Sequence, residues 1–271
     1  MIRVGVIGAA GKMGRMVCAT VADDPDLALV AAIDRSHVGE YAGALAGVRI
    51  EGVRISDEMD TMLQAEVEVA VDFTHPKVVR DDIRWLIDHA MHGVVGTTGL
   101  TDEDYAEIAG EIELEGSETN VFIAPNFALG AVLAERFAIQ AARWFPAAEI
   151  IELHHDGKAD APSGTALKAA KEILGARASE YHGPTDESVP GARGADMQGL
   201  RVHSVRLPGL VAHEEIIFGG RGQTLTIRHD SMDRSSFMPG VLMAVKSVST
   251  LPGLTVGLDK LLRLEHPSNE G

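Results

Sequence analysis

Between His154 and Thr165 the chain reads His-His-Asp-Gly-Lys-Ala-Asp-Ala-Pro-Ser-Gly-Thr. Imidazole titrates near neutrality and can accept or hand over a proton. A lysine ammonium and the free N–H groups of a helix start hold anions. Together they suit an anionic ligand that must also be protonated. A lone surface His or Lys is commonly only solvated, and a Ser-Gly-Thr start is commonly only a cap. The clustering of all three is what singles out this stretch. Its supports can be read on either side. Ala148 to Leu153 is an apolar run of strand type, and from Ser163 the sequence turns Ala-, Leu- and Lys-rich through Leu174. Ser163 is the expected N-cap of that helix. Adjacent strand residues face opposite sides. His154 and His155 can therefore serve one ligand only if the strand ends there, and Asp156-Gly157 marks such an end.

A second chemistry-bearing stretch opens the chain. Val4-Gly5-Val6-Ile7 is a buried-strand pattern, Gly8-Ala9-Ala10-Gly11-Lys12-Met13-Gly14 follows at once, and a helical run covers Arg15 to Ala22. Strand, glycine turn and helix in that order cradle a pyrophosphate at the helix N-terminus. The spacing is G-x-x-G-x-x-G. A second strand, Leu27 to Ile33, ends in Asp34-Arg35, about 20 positions after the glycines, where ribose hydroxyls are held. A carboxylate suits the free 2′-hydroxyl of NADH, and a guanidinium suits the 2′-phosphate of NADPH. Lys12 is a second cation nearby, and both cofactors are expected to be used.

Further strands are expected at Val67 to Thr74, Gly93 to Val95 and Asn120 to Ile123, with a minor one at Val48 to Ile55. Helices are expected from Pro76 to Met91, from Thr101 to Glu115 and from Gly130 to Trp144. This alternation makes a parallel, doubly wound sheet. After Asn126 the grammar changes. Ser179 to Gly199 reads as a long loop. Leu200–Leu207, Leu210–Phe218 and Gln223–Arg228 read as consecutive antiparallel strands, and Ser235 to Leu251 is helical again. The fold class is α/β: a Rossmann-like doubly wound parallel sheet plus a second α+β domain with a mixed or antiparallel sheet. The expected domains are 1–126 joined by 236–271, for the dinucleotide, and 127–235, for substrate and oligomerisation. Trp85 and Trp144 sit at helical spacing and are read as core or interface.

The 271 residues carry a formal charge of −16, which argues against nucleic acid and acidic membranes as partners. No apolar run approaches the roughly 18 residues of a membrane span, and the start does not read as a signal peptide. Cys18 is the only cysteine, so no intrachain disulfide or cysteine metal cluster can form, and a cytoplasmic location is expected.

Glu152-Leu153-His154-His155, Lys158 and Asp160 to Ala166 resemble the signature of the 4-hydroxy-tetrahydrodipicolinate (dihydrodipicolinate) reductases. Gly8 to Gly14, Gly96-Thr97-Thr98-Gly99 and Ala124-Pro125-Asn126-Phe127 resemble that family's cofactor motifs in the same order, and the likeness runs from about residue 2 to 265. The resemblance implies NADH- or NADPH-dependent reduction of a cyclic imine dicarboxylate on the diaminopimelate route to lysine. It implies that His154 donates or accepts a proton and that Lys158 donates one. His155, Ser163, Gly164 and Thr165 would bind substrate. Gly8, Ala9, Ala10, Gly11, Lys12, Met13, Asp34, Phe73, Gly96, Thr97, Thr98, Ala124, Pro125, Asn126 and Phe127 would hold the cofactor, with Arg35 selecting NADPH. It further implies a homotetramer assembled through the second domain's sheet.

Three other readings compete. Semialdehyde dehydrogenases share such a first domain but need a cysteine nucleophile, and Cys18 sits on the first helix at a core position. A metal site on His154-His155-Asp156 lacks any companion ligand pattern, so none is expected. A non-catalytic dinucleotide-binding sensor would have the same first domain but no use for the His-Lys loop.

Overall fold

A computed structural model of the chain describes residues 1–114, 118–179, 181–183 and 186–262. They divide into two compact units, Met1–Phe127 with the segment from Phe237 onward, and Ala128–Ser236.

The first unit is built on a seven-stranded sheet. Its elements in chain order are β1 (Ile2–Ile7), α1 (Lys12–Asp23), β2 (Leu27–Ile33), α2 (Ala42–Ala46), β3 (Ile55–Ser56), α3 (Thr61–Gln64), β4 (Val69–Asp72), α4 (Val79–Asp88), β5 (His92–Val95), α5 (Asp102–Leu114) and β6 (Val121–Ile123). The strand order is β12-β6-β5-β4-β1-β2-β3, where β12 is Leu254–Val256, and every pairing is parallel. Strands covered on both faces carry no alternation, which is why they read as continuous apolar runs. Val4, Val6, Val71 and Val94 are fully buried, each contributing roughly 1.5–3 kcal/mol. The order reverses between β1 and β4, the switch point at which such sheets bind ligands beyond their carboxyl ends.

The second unit comprises α6 (Leu129–Ala142), β7 (Ala147–His154), α7 (Gly164–Ala176), β8 (Ala195–Met197), β9 (Leu200–Arg206), β10 (Ala212–Gly220) and β11 (Gln223–Ser231). Its sheet order is β11-β10-β7-β9-β8. Ile150, Ile216, Phe218, Leu200 and Val202 on one face pack against alanines of α6 and α7. By strand alternation the other face carries Glu149, Ile151, Leu153, Glu215 and Ile217. After Ser236 the chain completes the first unit with α8 (Met238–Ser247) and β12.

Several expectations change. β9 and β10 follow one another but do not pair. β7 lies between them, antiparallel to β10 and parallel to β9, so the sheet is mixed. A strand finds its partner through the whole sheet, which local spacing does not report. The minor strand at Val48 to Ile55 shrinks to β3, and α2 forms within the expected loop. The loop from Ser179 contains β8, while residues 180, 184 and 185 lie outside those described, as do Glu115, the expected end of α5, and 263–271. β12 was not anticipated. Trp85 packs at the rim of the first unit's core, but Trp144 is 84 % exposed.

Candidate active site

The glycine turn after β1 is built so that backbone approaches backbone. Gly8 has φ +78°, and a Cβ there would stand 2.7 Å from the Phe73 carbonyl oxygen. A Cβ on Gly14 would stand 2.0 Å from the Gly8 carbonyl oxygen, so only glycine admits the start of α1 so close to the turn. The turn is tied to β2 through Asp34, whose Oδ2 accepts from the Ala10 N–H at 2.9 Å. Its Oδ1 accepts from the Ser36 N–H and hydroxyl. Burial would raise the Asp34 carboxyl, but the bonds from Ser36 and Ala10 win and hold it below the ordinary carboxylate range. A cavity of about 420 Å³ opens here, lined among others by Gly8, Gly11, Asp34, Arg35, Phe73 and Thr74. A glycine cradle at a helix start, a fixed carboxylate and an exposed guanidinium beside it fit a dinucleotide.

The ends of β4, β5 and β6 supply the remaining predicted cofactor residues. A Cβ on Gly96 would meet the Phe73 ring at 2.1 Å, and that ring packs on Phe127 at 5.9 Å between centroids. Thr97, Ala124 and Phe127 are buried. Thr97 turns its hydroxyl to Asp72 Oδ1 at 2.9 Å, so its side chain braces the floor of the cradle. Asp72 is fully buried, and Oδ1 also accepts from the Thr74 N–H and hydroxyl. Asp72 Oδ2 is buried with no hydrogen-bond partner. Asp82 on α4, within 3.3 Å of the Thr74 hydroxyl, lines the same cavity. Burial first, then the charge of Asp72, pushes the Asp82 carboxyl up to about 7. A proton kept there is shared with the Asp72 carboxyl, to which Asp82 is hydrogen-bonded.

In the second unit β7 ends at His154, and a turn follows at Asp156-Gly157. Ser163 caps α7, its hydroxyl accepting from the Ala166 N–H at 3.2 Å. His154 Nδ1 lies 2.6 Å from Glu152 Oε2, and the Ser163 N–H donates to Glu152 Oε1 at 3.1 Å. Glu152 thus ties strand end to helix start. Burial lowers the His154 imidazole, outweighing the opposing pull of Glu152, so the ring is neutral at neutral pH. Lys158 Nζ pairs with Asp160 Oδ1 at 2.8 Å. His155, Gly164 and Thr165 are exposed around this site.

Sequence reasoning gave no site role to eight lining residues of the first cavity, Asp57, Thr74, His75 and Asp82 among them. It also passed over Arg206, which donates two 2.8 Å hydrogen bonds to Glu152. No short motif contains Arg206, although its place at the end of a predicted strand was visible. A second cavity, of about 410 Å³, lies toward the opposite end of β7. Its charges pair among themselves, Glu149 with Arg193 and Asp196 with Arg201. His229 lies across from Glu214 with its ring against Gly130.

A dinucleotide cradle and a histidine–lysine loop at a capped helix start, carried by one chain, define a nicotinamide-dinucleotide-dependent oxidoreductase. Family models for the N-terminus and the C-terminus of dihydrodipicolinate reductase match residues 2–127 and 130–262. The 4-hydroxy-tetrahydrodipicolinate reductase of Nocardia farcinica is 51% identical over 267 residues, 97% of this chain and 99% of the relative. That of Mycobacterium marinum is 50% identical over 266 residues, 97% of this chain and all of the relative. A dipicolinate-bound dihydrodipicolinate reductase from Paenisporosarcina matches with TM-score 0.85 and 40% identity, covering 96% of this chain and 99% of the other. The chain belongs to the dihydrodipicolinate reductase family. Its activity is the reduction of 4-hydroxy-tetrahydrodipicolinate in the diaminopimelate pathway of lysine biosynthesis, and the sensor reading finds no support.

Proposed function

We propose that the two sites divide this reaction between cofactor and substrate. The observation that carries the reading is the shared attachment of His154 and the Ser163 N–H to one buried carboxylate, Glu152. It sets a proton-transfer group beside a helix N-terminus. Gly8 to Met13, Asp34, Phe73, Gly96 to Thr98 and Ala124 to Phe127 hold the dinucleotide. Asp34 takes the ribose hydroxyls, and Arg35, with Lys12, takes the 2′-phosphate, so that NADH and NADPH both serve. When bound, the cofactor supplies a hydride. Once the 4-hydroxyl has left as water, hydride addition to the resulting conjugated C=C–C=N unit leaves one negative charge on the substrate, and an acid must quench it. Lys158 Nζ supplies that one proton, and His154 Nε2 donates or accepts the proton that moves as the 4-hydroxyl leaves as water. His155, Ser163, Gly164 and Thr165 hold the carboxylates, through imidazole, hydroxyl and helix N–H groups.

The same reading makes the protein a cytoplasmic homotetramer joined through the second unit's sheet. Among the described residues no helix is long and apolar enough to cross a membrane. A coupled assay tests the whole reading: the product of the upstream synthase, given with each cofactor in turn, should oxidise both NADH and NADPH. Oxidation of neither would overturn it.

A further inference from the structure

Glu152 sits in the middle of a sheet, fully buried and two residues before His154, so both project from the same face. A carboxylate there is costly unless its lone pairs are filled. The Arg206 fork donates to Oε2 and Oε1 at 2.8 Å each. The contacts with His154 and the Ser163 N–H complete the set. Burial would raise this carboxyl, but bonds from Arg206, Ser204 and His154 hold it at about 2. It is therefore an acceptor at any working pH. An ionised carboxylate has no proton to give, so the proton in the contact with His154 belongs to Nδ1. Neutral His154 is thereby the Nδ1–H tautomer, with its Nε2 lone pair left for the reaction. The clamp extends further. Arg206 Nη2 also donates to the Asp160 carbonyl at 2.6 Å, and the Asp160 carboxylate holds Lys158.

We propose that Glu152, gripped by Arg206, is the positioning residue of the proton-transfer loop: it sets the tautomer of His154 and fixes the segment from His155 to Ser163 between β7, β9 and the start of α7. The inference deepens, and rests on, the assignment of proton transfer to His154. Several charges act on the pair. Lys158 in the loop and Arg206 on β9 disfavour His154 protonation, and Glu152 favours it. Glu214, opposite Glu152 on β10, bears on Glu152 and is itself acted on by Glu135 of α6 and Lys168 of α7.

The imidazole ¹⁵N shifts of the whole protein test this without activity. In the wild-type protein at pH 7, His154 should show a protonated Nδ1 and a bare Nε2, and the opposite tautomer would overturn the proposal. In Glu152→Gln the amide N–H faces either a guanidinium N–H or the His154 contact. The His154 tautomers should then mix and its titration should move to lower pH, while dinucleotide binding by fluorescence stays within about twofold. An unmoved titration in a folded variant would also overturn the proposal. In Arg206→Lys the tautomer should persist, and the loss should fall on substrate KM through the released Asp160 carbonyl. A tautomer that mixes as fully as in Glu152→Gln would refute the separate role given to the fork. The catalytic reading is checked separately by kcat against pH. Glu152→Gln should lower kcat by about 10²-fold or more, as a wrong tautomer does, with its histidine limb displaced in step with the ¹⁵N titration. Shifts that move while kcat does not would leave Glu152 positioning His154 but remove proton transfer from that histidine.

Discussion

Arg35 and Asp34 stand side by side in the lining of the first cavity, and single substitutions there should separate the two cofactors. Arg35→Ala should raise KM for NADPH at least about tenfold and leave NADH nearly unchanged. A lost charge-assisted bond is worth roughly 1.5–3 kcal/mol. Equal changes for both cofactors in steady-state kinetics would remove Arg35 from the 2′-phosphate. In the second unit, His154→Ala and Lys158→Ala should each lower kcat by about 10²–10⁴ with dinucleotide binding intact, whereas Thr165→Ala should act on substrate KM. Normal turnover in both of the first two variants would place the acid elsewhere, His229 being the first candidate. The residues with distinctive chemistry were legible in the sequence because imidazole, ammonium and glycine declare themselves by type and spacing. Arg206 was not. Its meaning comes from Glu152, 54 residues away on the neighbouring parallel strand, and no local pattern encodes that.

At the scale of elements, the carboxyl pair where β4 meets α4 predicts a pH dependence. Asp82 keeps its proton up to about pH 7 in the folded state, while in the unfolded chain it ionises near its ordinary value of about 3.9. Between those limits the native state binds more protons, so stability falls as pH rises and levels off above about 7. Asp82→Asn, uncharged in both states, should escape that fall. Its melting temperature relative to wild type should therefore climb from about pH 4 to pH 7 and then stay level. A difference that does not vary with pH would show that Asp82 ionises normally. Element types were legible where strands were long and covered on both faces, as in β1, β2 and β4. β8 and β12, three residues each, were not, and the two residues of β3 were read only as the end of a longer run, because so short a run carries no period to read. The place of β7 between β9 and β10 likewise depends on which faces are buried together.

For the whole molecule, light scattering should give a particle of about four chains, and an active monomer at working concentration would refute the proposed tetramer. The division into two units also sets a schedule. β6 gains its outer neighbour only when Leu254–Val256 pairs with Val121–Ile123. Asn120 receives and gives bonds to that same late segment, its amide to the Ser249 carbonyl and its Oδ1 from the Gly253 N–H. Lys246 reaches back to Asp24 and Asp26. A ribosome delivers Ala128–Ser236 whole before any of these partners exists. The nascent chain therefore carries β6 as a bare strand edge throughout the synthesis of the second unit, the kind of edge that recruits other chains. A chain stopped after Ser236 should accumulate in aggregates that the full-length protein does not form, and supplying 237–271 in trans should reduce them. Translation that pauses between codons 237 and 256 would lengthen the exposure, so the yield of this enzyme should depend on how quickly those codons are read.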